Sequence, residues 1–146
     1  MPKSILLVDD DHNILSIYKK ILEEEGYTVY TGYNAEQAKA IVKEHEVHLV
    51  IMDYYLQNTN GLQLTEALKK IDENLQIIFL TGYHPILDTV EDIRFRVERV
   101  LFKPIDIKDL LCEVRRLLGM DEGYRQAPIP YENMTQVDTE ATPYNS

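Results

Sequence analysis

Four short apolar runs, none broken by a polar residue, constrain this chain more than any other feature. They are Ile5-Leu6-Leu7-Val8, Leu49-Val50-Ile51-Met52, Ile77-Ile78-Phe79-Leu80 and Val100-Leu101-Phe102. Each has strand length and lacks apolar–polar alternation, so each predicts a strand covered on both faces. The covering layers lie between the runs, in segments of helical period. Ile14, Ile17, Tyr18, Ile21 and Leu22 share one predicted helix face, with Gly26 as the stop. Asn34 and Gln37 have capping-box spacing and open a helix through Val42. Leu64, Ala67, Leu68 and Ile71 mark a third, and residues 86–97 a less regular fourth without a glycine stop. Asp106 is placed to cap a fifth that carries Ile107, Leu110, Leu111, Val114, Leu117 and Leu118 and ends at Gly119. Thr28-Val29-Tyr30-Thr31 alternates and predicts a strand nearer a sheet edge. The order βαβαβαβαβα implies an α/β fold: a doubly wound, five-stranded parallel sheet with right-handed crossovers and helices on both faces.

Composition narrows the function classes. The chain has 146 residues, enough for one domain over residues 1–119 with a C-terminal tail over 120–146. That tail loses the apolar period, carries prolines, threonines and tyrosines, and holds five acidic residues against Arg125. The length is expected to leave no room for an effector domain. A net charge of -10 opposes direct nucleic-acid binding, which needs basic residues on phosphates, and opposes an anionic membrane surface. The single cysteine, Cys112, excludes a disulfide framework, and Met1-Pro2-Lys3-Ser4 does not open a signal peptide. A cytoplasmic location is expected.

In a sheet of this kind, functional groups gather where strands end at their carboxyl edge. The first run ends in Asp9-Asp10, the third-strand run in Asp53, the fourth in Thr81 and the fifth in Lys103-Pro104. Converging carboxylates repel: two unit charges ~4 Å apart cost about 4 kcal/mol at an effective dielectric near 20. Lys103 offsets part of this, and a hard divalent cation with oxygen ligands, Mg²⁺ (or Mn²⁺), would offset the rest. The chemistry that needs such a set is phosphoryl transfer to a carboxylate, with Asp53 as nucleophile, Lys103 on a phosphoryl oxygen and the Thr81 hydroxyl on another.

These residues resemble those of a response-regulator receiver domain, the CheY-like phosphoacceptor of two-component signal transduction. The resemblance rests on Ile5-Leu6-Leu7-Val8-Asp9-Asp10-Asp11, on Leu49-Val50-Ile51-Met52-Asp53 with Gly61 eight residues on, on Leu80-Thr81-Gly82 and on Phe102-Lys103-Pro104. It implies strand order 2-1-3-4-5 and a Mg²⁺ site made by Asp10, Asp53 and the backbone carbonyl of Tyr55, with Asp9 acting through water. It also implies a cis Lys103–Pro104 bond. The implied activity is that of a signalling phosphoacceptor, which catalyses its own Asp53 phosphorylation and slow dephosphorylation and is not otherwise an enzyme. The implied partners are a histidine kinase or phosphotransfer protein and a downstream protein reading residues 86–118, where Arg94, Arg96 and Arg99 form a basic run; a homodimer is an open outcome.

The chain departs from the family pattern in places. Gln57 replaces a usual proline, so the loop over residues 57–60 is expected to be looser. Val100 stands where an aromatic switch residue is common, and Arg96-Val97 replaces a Gly-Ala pair. Tyr55 and Tyr83 occupy the positions that tune dephosphorylation; two bulky phenols there predict screening of the attacking water and a long-lived phosphoryl group. A pseudo-receiver scaffold that binds partners without phosphorylation is the alternative, and a flavodoxin-type or phosphatase domain is a distant third. Asp11 is expected to cap the first helix, His12 to be an exposed helix-start residue, and Cys112 to be inert.

Overall fold

The computed structural model describes residues 2–82 and 97–119. In chain order the elements are β1 (Ser4–Val8), α1 (His12–Glu24), β2 (Thr28–Gly32), α2 (Ala35–Glu44), β3 (Leu49–Met52), β4 (Tyr55–Leu56), β5 (Thr59–Asn60), α3 (Gly61–Ile71), β6 (Gln76–Thr81), β7 (Arg99–Phe102) and α4 (Ile107–Leu118). Five strands form one parallel sheet in the order β2-β1-β3-β6-β7. This is the expected 2-1-3-4-5 order once the small β4–β5 hairpin is set aside, and the alternating strand lies at the edge as its pattern predicted.

The apolar runs are buried on both sides. Leu6, Val8, Val50, Met52, Ile77 and Phe79 meet α2 and α3, whereas Ile5, Leu7, Leu49, Ile51, Ile78 and Leu80 meet α1 and α4. Period-two alternation thus divides each run between two cores, which is why no polar residue could be tolerated within it. The caps expected at Asp11, Asn34 and Asp106 are present, and Asn60 adds one for α3. Asp11, Asn34, Asn60 and Asp106 each accept a backbone N–H of the first helical turn, and Gly119 ends α4 at a left-handed φ of 69°. Gln37 Oε1 reaches back to the Tyr33 N–H at 2.7 Å, one residue earlier than a capping box requires.

Two expectations need correction. On α1, Leu15 and Leu22 are the buried residues and Ile17 is 57% exposed. The buried stripe keeps Tyr18, Ile21 and Leu22 of the predicted face and takes in Leu15, while Ile17 falls off its flank. The second concerns the loop after Asp53. It is a β4–β5 hairpin with Tyr55 opposite Asn60 and Leu56 opposite Thr59. Buried Leu56 anchors it, and Asn58 supplies the positive φ of 68° at the turn, a conformation asparagine tolerates better than most residues. The expected helix over 86–97 falls largely outside the described residues, as do Tyr83, Arg94 and Arg96; Val97 is buried and lies outside a helix. The tail over 120–146 is likewise outside them.

Candidate functional site

Strand register assembles the site. Val8 is level with Met52, and Thr81 with Phe102. The residues that follow β1, β3 and β7 therefore leave the sheet at one edge, and these are Asp9, Asp53 and Lys103. Backbone bonds fix each exit: the Asp9 N–H donates to the Gly32 carbonyl (3.2 Å), the Asp53 N–H to that of Val8 (3.1 Å), and the Lys103 N–H to that of Thr81 (2.8 Å).

The Lys103 ammonium stands between the two carboxylates, 3.4 Å from Asp9 Oδ2 and 3.5 Å from Asp53 Oδ2. The other oxygen of each acid is bound by its own loop. Asp11 N–H donates to Asp9 Oδ1 at 2.9 Å, and Tyr55 N–H donates to Asp53 Oδ1 at 3.2 Å. Asp9 is buried, while Asp53 and Lys103 are half-buried. Burial raises the Asp9 carboxyl above its ordinary 3.8; the Asp11 N–H and Lys103 lower it but do not cancel the rise, to which Asp53 adds. For Lys103 burial pulls downward, yet Asp53 and Asp9 together outweigh it and hold the ammonium above its ordinary 10.5. One cation shared by two acids leaves the cluster short of positive charge.

The remaining predicted residues fall into place unevenly. Thr81 ends β6 and is buried. The Lys103–Pro104 bond is cis. Tyr55 is 46% exposed on the hairpin beside Asp53. Val100 is buried in the α2–α3 core, where its side chain is part of the packing. Asp10 is exposed and is not drawn into the Asp9–Lys103–Asp53 cluster by any ion pair. Arg99 is no free surface charge. Its Nε lies 2.8 Å from the carboxylate of Glu113, which is only 3% exposed, and its Nη1 donates to the Glu98 carbonyl. His12 is exposed as expected, and its ring stacks on Tyr33 with centroids 3.8 Å apart. His48 Nδ1 accepts from the Ser4 N–H, a structural role.

Sequence reasoning placed Tyr18 on an apolar face and missed that it lines a small cavity with Asp9 and Asp53. The available signal was a hydroxyl-bearing side chain within an otherwise aliphatic stripe, two helical turns past the acids.

Among the described residues, no three His, Cys, Asp or Glu side chains group closely enough to cage a metal. The donor set is nevertheless right for Mg²⁺, which takes one or two carboxylates and completes its shell with water and other oxygens. Asp9, Asp53 and loop carbonyls supply only hard oxygen, which suits neither zinc nor copper.

Comparison with known proteins shows the family. The family described as response regulator receiver domain matches residues 5–115. The chain is 30% identical to sporulation initiation phosphotransferase F of Bacillus subtilis, over 82% of this chain and 97% of that protein. It is 27% identical to the probable transcriptional regulator ycf27 of Cyanidium caldarium but spans only 54% of that protein's length. Among solved structures, a receiver domain protein (CheY-like) from Methanospirillum hungatei superposes with a TM-score of 0.76 at 31% identity, covering 82% of this chain and 96% of that one. The response regulator TrrA of Thermotoga maritima, solved in complex with Mg(2+)-BeF, superposes with a TM-score of 0.71 at 30% identity, covering 79% and 98%. No helix among the described residues is long and apolar enough to cross a membrane.

Proposed function

The chain belongs to the response-regulator receiver family, and from that premise we propose that it takes a phosphoryl group onto Asp53 from the phosphohistidine of a histidine kinase or phosphotransfer protein, in a Mg²⁺-dependent reaction. The observation that carries this reading is the single ammonium held between Asp9 and Asp53 at 3.4 and 3.5 Å. An Asp53 oxygen attacks phosphorus, the phosphorus–nitrogen bond to the donor imidazole breaks, and the electron pair returns to the ring, which then takes up a proton. Lys103 moves onto a phosphoryl oxygen as a point charge, and the Thr81 hydroxyl binds another. Asp53, Asp10 and the Tyr55 carbonyl would hold Mg²⁺, with Asp9 acting through water. The metal, when bound, spreads the charge of the transferring group. Tyr55 follows the acceptor by two residues and is 46% exposed; its phenol would shield the acyl phosphate from water and lengthen its life.

The output reading is a protein contact made by the phosphorylated domain over residues 1–119, in the cytoplasm. The surface over residues 86–118 is where a downstream partner, or a second copy of the chain, would dock.

Incubation with Mg²⁺ and a small phosphodonor, followed by intact-mass measurement, tests the chemistry. The expected result is a gain of one phosphoryl group in the wild type and none in Asp53→Asn. A pseudo-receiver scaffold predicts no gain in either, together with partner binding unchanged by Asp53→Asn.

A further inference from the structure

Tyr18 is a half-buried phenol outside the set described above. It sits on the second turn of α1, packed against the core formed by Ile5, Leu7, Ile51 and Leu80. Helical side chains lean toward the helix N-terminus, so a long residue on this turn reaches back toward the Asp9–Asp11 end of α1. It does so here: Tyr18 lines a cavity of about 10 Å³ whose wall includes Asp9 and Asp53, the other lining side chains being aliphatic. Apart from those two acids, Tyr18 is the residue of that wall with a polar group on its side chain. Burial raises its pKa above the ordinary 10.0, and it feels the charges of both Lys103 and Asp9.

The arrangement matters because of what Lys103 leaves behind. In the unphosphorylated site Asp9 Oδ1 is bound by the Asp11 N–H and Oδ2 faces Lys103. Once Lys103 turns to a phosphoryl group on Asp53, Asp9 Oδ2 is a buried carboxylate oxygen that has lost its ammonium donor and is left with the water through which it would act on the metal. Loss of a donor to a buried charge is among the more expensive changes a protein interior can undergo. A leucine at this position would fill the same stripe and offer nothing.

We infer that Tyr18 is a positioning residue whose hydroxyl donates to Asp9 when Lys103 leaves it, so that α1 stabilises the phosphorylated arrangement of the site. The inference rests on the phosphoacceptor reading. It predicts a specific asymmetry. Before phosphorylation Asp9 already has Lys103, so removing the hydroxyl changes little; after it, the hydroxyl is needed.

The test compares wild type, Tyr18→Phe and Tyr18→Leu in the full chain. Mg²⁺ affinity is measured alone by titration calorimetry, then beryllofluoride affinity is measured at saturating Mg²⁺, as the stand-in for a phosphoryl group. The expected result is unchanged Mg²⁺ affinity in all three and beryllofluoride binding weakened about tenfold in both variants, the size of one hydrogen bond to a charged group. Equal beryllofluoride affinity in wild type and Tyr18→Phe overturns the inference and leaves the phosphoacceptor reading intact. A parallel loss of Mg²⁺ and beryllofluoride affinity also overturns it, since that is how general damage to the site would appear. Failure of the wild type to bind beryllofluoride, together with no mass gain, overturns the phosphoacceptor reading and this inference with it.

Discussion

At the scale of single residues, the site is held at an unfavourable balance. Asp9 ionises less readily in the folded protein than in the unfolded chain, because burial outweighs the help of Lys103 and the Asp11 N–H. A carboxyl whose folded pKa is raised adds stability below its unfolded value, near 3.8, and loses it as pH rises through the folded value. At neutral pH the ionised Asp9 therefore works against the fold. Asp9→Asn is expected to raise the melting temperature of the metal-free protein at pH 7, and the advantage should vanish in acid below pH ~3.8, where wild-type Asp9 is protonated in both states. Thermal melts across that range check the sign; a lower melting temperature for Asp9→Asn at pH 7 would show that the Lys103 contact outweighs burial. Lys103 has the same sense of shift, so its contribution is full below about pH 10.5 and lost only above it.

At the scale of elements, the β4–β5 hairpin and α3 are fitted closely to the sheet. Gly61 opens α3, its N–H bonded to the Tyr54 carbonyl at 2.5 Å. A Cβ built there would stand 3.0 Å from the Phe79 ring and 3.1 Å from Tyr54 Cα. Backbone cannot yield as a flexible side chain can, so Gly61→Ala is expected to destabilise the domain by about 1–3 kcal/mol, measured by urea unfolding. Gly61 also shows what the sequence could disclose and what it could not. Its place eight residues after Asp53 was readable as a motif, but the contact that demands glycine depends on Phe79, a residue of another strand. The same division recurs elsewhere. Strand runs, caps and the strand-end acids are local patterns, and the structure keeps them. The seating of α1 that buries Leu15 rather than Ile17, the hairpin built around Asn58, and the reach of Tyr18 to the acids depend on how elements dock, which periodicity alone leaves free.

At the scale of the whole molecule, function and stability meet at opposite ends of the sheet. The carboxyl end gathers charge that a cation should relieve, so Mg²⁺ is expected to raise the melting temperature. A ligand that binds only the folded state at 100 times its Kd adds about 2.7 kcal/mol. Scanning calorimetry with Mg²⁺ and with chelator should show this rise in wild type and lose most of it in Asp53→Asn. The amino end of β6 and β7 is fastened differently. Glu98 takes the Ile77 N–H on its carboxylate at 2.6 Å and gives its own N–H to the Ile77 carbonyl at 2.9 Å; Lys69 Nζ lies 3.8 Å from the same carboxylate, and next in the chain Arg99 is tied to Glu113 on α4. A strand pinned there cannot slide along its neighbour without breaking several bonds at once. Ladder pairing continues from there to Thr81 beside Phe102, and the Lys103 N–H closes it on the Thr81 carbonyl at 2.8 Å. The two strands are therefore joined as one piece, from the Glu98 clasp at one end to the proposed phosphoryl site at the other.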